Sequence, residues 1–155
     1  EEVFRNYSSD PSKEKIFRAK VESDIFSNFP TSMRVLKSGY ETVGLPDKDD
    51  EHVVALARQE NIQEIITFNL KDFPEAIMNG FGIRSQNPDV FLCEWYATDG
   101  EEIKTALREH LMYLRNSQPK KAVYLASLKK AGLNKFVEIL EAEDDANNLF
   151  AEVWP

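Results

Sequence analysis

Ile65-Ile66-Thr67-Phe68-Asn69-Leu70-Lys71-Asp72-Phe73-Pro74 is the stretch whose reading decides the fold. Its β-branched start reads as a short buried strand, Glu64 to Phe68. The strand stops at three polar residues, Thr67, Asn69 and Asp72, and a helix start follows at once. In a parallel α/β sheet, ligands bind outside the carboxyl ends of the strands. Three oxygen-bearing side chains therefore stand where an ion or a phosphate group is expected. A second acidic group, Asp47, Asp49 and Asp50, lies upstream, also at a helix start.

Working outward, the chain turns helical from Asp49, with Val53, Val54, Leu56 and Ala57 as one apolar stripe that Asn61 breaks. Asp72 reads as the N-cap of a short helix through Met78, closed by Gly80. Ile83 sits in a short extended piece, and Asn87-Pro88 opens another helix. This alternation of helices and short strands is that of an α/β sheet fold. Asp99 with Glu102 resembles a capping box before Ile103, Leu107 and Leu111. Two further helices are expected at about 119–130 and 134–143, so the C-terminal third reads as a helical appendage. Toward the N-terminus, Asp10-Pro11 with Glu14 starts a helix carrying Ile16, Phe17, Val21, Ile25 and Phe26. A short strand is expected around Met33 to Leu36.

The chain has 155 residues, enough for one domain with a substantial core. No apolar run approaches the ~18 residues of a membrane span, and no signal peptide stands at the front. The single cysteine, Cys93, excludes an internal disulfide framework and fits a reducing cytoplasm. A net charge of −8 argues against broad attraction to nucleic acid. The distribution is uneven, however. Lys104, Arg108, Arg115, Lys120, Lys121, Lys129, Lys130 and Lys135 cluster in one region, and Glu138, Glu141, Glu143, Asp144, Asp145 and Glu152 follow. Either the basic region faces RNA and the acidic end a partner, or both are ordinary solvated faces.

The acids have a bland reading as well, because carboxylates at helix N-termini cap free N–H groups and oppose the macrodipole. Successive helical residues lie ~100° apart, so Asp49, Asp50 and Glu51 cannot all face one site. Asp50 precedes Val53 and Val54 by three and four residues. It should stand at the start of the core-facing stripe and point toward the end of the Ile65–Phe68 strand. Asp47 and Asp49 read as loop and cap. Carboxylates gathered without lysine or arginine repel one another unless a cation binds, and Mg²⁺ or Mn²⁺ takes such oxygen donors. His52, His110 and Cys93 read as structural. There is no phosphate-cradling glycine loop and no nucleophile elbow.

Thr67-x-Asn69-x-x-Asp72-Phe73, preceded by Asp50-x-x-x-x-Ala55-x-Ala57, resembles the second half of a PIN domain. The fuller run adds Leu45-Pro46-Asp47-x-Asp49-Asp50-x-His52-Val53, then Gly82-Ile83 and Pro88-Asp89-x-Phe91-Leu92. It is similar to a bacterial VapC-like branch with a helical C-terminal extension. Leu114-x-Asn116, Tyr124-Leu125 and Gly132-Leu133 fit that extension more loosely. The resemblance implies an α/β PIN-like three-layer fold with a parallel sheet over residues 1–92 and a helical extension over 93–155. It implies a cytoplasmic, Mg²⁺- or Mn²⁺-dependent ribonuclease of the toxin–antitoxin type, with RNA as substrate, an antitoxin as partner and a homodimer as one form.

By position, Asp50, Asp72 and Glu2 match the family's metal ligands, with Glu2 drawn from Glu1-Glu2-x-x-Arg5-Asn6. Asn69 and Thr67 match the polar groups beside them. The family also opens with a strand ending in Asp that this sequence does not contain. The chain begins Glu1-Glu2-Val3-Phe4, which reads as mid-helix, so the natural protein is expected to extend further toward the N-terminus. The competing expectation is a truncated, non-catalytic binding module. Action on structured DNA is disfavoured, since long basic helical insertions are absent.

Overall fold

A computed structural model describes residues 34–37, 39, 41, 43–114, 120–147 and 150. The chain divides into two units, Glu1–Tyr40 and Glu41–Pro155. Of the first, residues 34–37 are irregular, so no strand runs through Arg34 to Leu36. Met33, Glu2 and the expected helix after Asp10 lie outside the described residues.

In the second unit a 3-10 turn, Lys48–Asp50, leads into α1, Glu51–Gln59. Strand β1 is Glu64–Ile66, α2 is Glu75–Met78, and a 3-10 turn, Asn79–Phe81, precedes β2, Arg84–Gln86. Helix α3 is Pro88–Tyr113, α4 is Lys121–Lys130 and α5 is Asn134–Asn147. The strands pair in parallel, with Glu64 opposite Arg84 and Ile66 opposite Gln86. Thr67 N–H extends the ladder by donating to the Gln86 carbonyl at 2.9 Å. The α/β character and the helical C-terminal part stand as expected, with a two-stranded sheet among the described residues. The 92/93 boundary falls inside α3.

Local rules account for most element ends. The Asn87 carboxamide oxygen accepts from Asp89 N–H at 2.9 Å, and Pro88 follows at the first helical position of α3. Helix α1 closes at Asn61, which takes φ 56°. Ile62 N–H then reaches back to the Ala57 carbonyl and Asn61 N–H to that of Arg58. The same motif closes the α2 segment, but at Gly82 (φ +66°) and not at the expected Gly80. The 3-10 turn carries the chain one turn further before a left-handed residue is needed. Asp99 does cap its following turn, accepting from Glu102 N–H at 3.2 Å. It does so within α3, where its φ of −142° marks a kink. The Glu102 carboxylate accepts from the Trp95 indole, so only half of the capping box forms.

Two apolar clusters result. Leu45, Val54, Ala57, Phe73, Met78 and Ile83 form the first, with Ile65 packed against it. Ile103, Leu111, Tyr124, Leu125, Phe136, Val137, Leu140 and Phe150 form the second. The strand itself is less buried than its composition suggests: Ile66 is 39 % and Phe68 57 % exposed. A parallel strand is buried on both faces only when neighbours cover both. Here Ile66 on the strand and Phe68 just beyond it are covered only in part.

Candidate metal centre

The segment after β1 is a pair of successive turns. Asn69 N–H donates to the Thr67 hydroxyl oxygen at 3.0 Å, a local side-chain turn that a threonine supplies. Asp72 N–H then donates to the Asn69 carbonyl at 3.3 Å and Phe73 N–H to that of Leu70 at 3.2 Å. Phe73 is buried in the first cluster, which anchors the far end of the loop. Ser85 on β2 donates its hydroxyl to the Phe73 carbonyl at 2.7 Å and ties it to the sheet. Asp72 is thereby held between two fixed points.

The second loop is fixed by a residue whose importance the sequence reading missed. Glu51 is buried, and its two carboxylate oxygens accept from Val43 N–H at 3.1 Å and Gly44 N–H at 3.0 Å. This clip folds the 43–47 loop back over the start of α1. The buried face of α1 carries Val54, Ala55 and Ala57. Glu51 lies three and four residues before Val54 and Ala55, so it, and not Asp50, heads the core-facing stripe. Val53 is half-buried at the edge of the first cluster, so the fully buried stripe starts one position later than the apolar spacing predicts.

Asp47, Asp50 and Asp72 each offer a carboxylate oxygen, and these oxygens all lie within 4.8 Å of one another. Asp50 and Asp72 thus meet as the sequence led one to expect. Asp47 joins them although it was read as a loop residue. It also caps, accepting from Asp49 N–H at 2.8 Å, so one side chain serves both ends. The capping explanation fails for the other two. Asp50 stands at the N-cap of α1 but makes no side-chain capping bond. The N-cap of α2 is Pro74, not Asp72. One lysine lies close: Lys71 Nζ is 3.7 Å from Asp72, though its side chain is 82 % exposed. Such a solvated pair offsets little of the repulsion.

Burial, followed by the Asp47 and Asp72 charges, raises the pKa of the Asp50 carboxyl above its usual value. The group is strained in its ionised form, which is what a cation relieves. Three carboxylates with no nitrogen or sulfur donor among them suit a hard divalent ion, so the donor set fits Mg²⁺ or Mn²⁺. Thr67 and Asn69 lie on the same loop as Asp72. Glu2 lies outside the described residues.

The other candidates take structural places. Cys93 is half-buried against the second cluster, and burial raises its thiol pKa. His110 faces the Tyr124 hydroxyl at 3.1 Å. Part of the basic region is bound to the acidic one. Lys104 pairs with Glu143, Lys121 with Asp144, and Lys129 with Glu141. No helix among the described residues is long and apolar enough to cross a membrane.

Residues 88–142 match the family model described as VapC50 C-terminal domain. The matched region comprises α3, α4 and α5 as far as Ala142, and this helical part of the chain is what resembles a VapC-type domain. No curated protein and no solved structure matches the chain.

Proposed function

We propose that this chain carries the metal-binding half-site of a PIN-type endoribonuclease, a toxin of the VapC kind held in check by an antitoxin. One observation carries the proposal. Asp47, Asp50 and Asp72 converge from two loops to within 4.8 Å, and neither Asp50 nor Asp72 is occupied by helix capping. The match of residues 88–142 to a VapC-type domain supports it from the other end of the chain.

In this reading Asp50 and Asp72 hold Mg²⁺ or Mn²⁺, with Asp47 as a third oxygen donor. When bound, the ion lowers the pKa of water and neutralises charge on a phosphodiester. Thr67 and Asn69 fix the loop that presents Asp72 and offer polar groups to orient water or phosphate oxygens. Glu51 acts through the 43–47 loop and positions Asp47 without touching the ion. RNA is the substrate class.

The test is calorimetric titration of this chain with Mn²⁺, paired with an assay of single-stranded RNA cleavage. Saturable binding that is lost in Asp50→Asn and Asp72→Asn, with cleavage lost in parallel, is expected. Undiminished Mn²⁺ binding in Asp50→Asn would sink the assignment. A second reading, a non-catalytic binding module, draws on the partly exposed Ile66 and Phe68 at the end of β1. It predicts no saturable Mn²⁺ binding by the wild-type chain.

A further inference from the structure

Phe68 is the side chain that the metal centre leaves unexplained. It lies between Thr67 and Asn69, inside the loop that presents Asp72, and 57 % of its surface is in water. An exposed phenylalanine is ordinary when isolated and mobile. This one is braced. A Cβ built on Gly132 would stand 2.9 Å from its Cε1 and 3.4 Å from its Cζ, so one side of the ring lies against glycine backbone. Gly132 is itself fixed. It takes φ +92° as the left-handed residue closing α4, donating its N–H to the Lys129 carbonyl while Leu133 N–H donates to that of Leu128. Any other residue there would meet both the ring and an unfavourable backbone angle.

The two segments that meet at the ring both carry lysines. Lys71 follows it by three residues and is exposed. The turn that braces it is flanked by exposed Lys130 and Lys135, and neither pairs with a carboxylate among the described residues. This contrasts with Lys104, Lys121 and Lys129, which are tied to the acidic end of the chain. A partly exposed aromatic ring backed on one side, with lysines on the segments that carry it, is how proteins take up single-stranded nucleic acid. Bases stack on the ring, and lysines meet the phosphates. A braced ring loses little freedom on stacking, which favours binding.

We propose that Phe68, backed by Gly132, is the stacking platform for one base of single-stranded RNA beside the metal centre, with Lys71, Lys130 and Lys135 facing its backbone. The proposal rests on the nuclease reading of the acidic cluster, which supplies the reason for RNA to lie there. It adds the subsite that sets where the strand sits.

The experiment is fluorescence anisotropy of a labelled oligoribonucleotide of about eight nucleotides with EDTA present, so that binding is read without hydrolysis. Phe68→Ala should weaken binding about tenfold, and Phe68→Tyr should keep it. Phe68→Leu keeps apolar bulk without a ring face and should fall with Phe68→Ala. A protein-docking role would let Leu substitute. A scan with a single abasic position should find one site that reproduces the loss, and at that site Phe68→Ala should add nothing further. Wild-type binding by Phe68→Leu, or losses that add at every position, would overturn the platform. Unchanged circular dichroism of the variants checks that they fold. A wild-type chain that binds RNA through Phe68 yet never cleaves it with Mn²⁺ defeats the ribonuclease reading alone.

Discussion

Asp50 is a residue held partly against its own charge. Burial and the nearby Asp47 and Asp72 carboxylates raise its folded pKa. A raised carboxylate pKa means the folded chain binds the proton more tightly than the unfolded one. Stability therefore falls as pH rises from the unfolded value through the folded one, and the whole penalty is present above it. Asp50→Asn should raise the metal-free melting temperature by the equivalent of ~0.5 kcal/mol, the scale of a close like-charge pair. The same variant should abolish the melting shift that Mn²⁺ gives the wild type. If Asp50 were instead an indispensable cap, Asn would leave the metal-free chain unchanged or less stable. Proton and metal compete for the same oxygens, so Mn²⁺ affinity should drop in mild acid, above the pH at which ordinary aspartates titrate. Calorimetry at a series of pH values reads this directly.

At this scale the sequence was legible where spacing alone decides. The Thr67, Asn69, Asp72 pattern and the place of Asp50 at a helix start could be read from the chain. The clip made by Glu51 could not, because its targets are backbone N–H groups of a loop, and those leave no trace in residue type. Asp47 was hidden by its second role, since a side chain that caps gives no sign that it also faces a site.

At the scale of elements, Asp89 ties the start of α3 to the start of α5. It sits in the first turn of α3, is 7 % exposed, and is not needed there, since Asn87 already caps that helix. Its carboxylate instead reaches α5, accepting from Lys135 N–H at 3.0 Å and Phe136 N–H at 2.8 Å. It thus caps a helix more than forty residues away. Asp89→Ala leaves two amides at the start of α5 without acceptors, one of them buried. It should cost about 2–4 kcal/mol, read as a fall in urea midpoint. Asp89→Asn retains one oxygen and should cost about half as much. A loss in Asp89→Ala of ~0.5 kcal/mol or less, the scale of a surface change, would count against the cap. Helix existence was legible from Asn87-Pro88 and from the apolar spacing of α4 and α5. The shortness and exposure of β1 were not, because a β-branched run promises a strand and says nothing of what covers it.

At the scale of the molecule, part of the charge asymmetry of the sequence is pairing in space. The basic stretch and acidic end face each other through Lys104–Glu143, Lys121–Asp144 and Lys129–Glu141. The two apolar clusters share no residue. Bridges between them include the Arg84 and Gln86 side chains of β2, which both donate to the Glu94 carboxylate on α3, and the Phe68–Gly132 contact. An ion at Asp47, Asp50 and Asp72 binds loops rooted in the first cluster only. A ligand at a hundred times its Kd stabilises whatever must unfold to release it by about 2.7 kcal/mol. If the clusters open separately, hydrogen exchange with saturating Mn²⁺ should slow for amides around Val54, Ala57 and Met78. Exchange of Tyr124, Val137 and Leu140 should stay unchanged. Equal slowing in both sets would mean that these bridges suffice to make the unit unfold as one. In that case Glu94→Ala, which removes the partner of Arg84 and Gln86, should uncouple them, and the gain on Mn²⁺ binding should retreat to the first cluster. No slowing in either set would mean that the three carboxylates hold no ion.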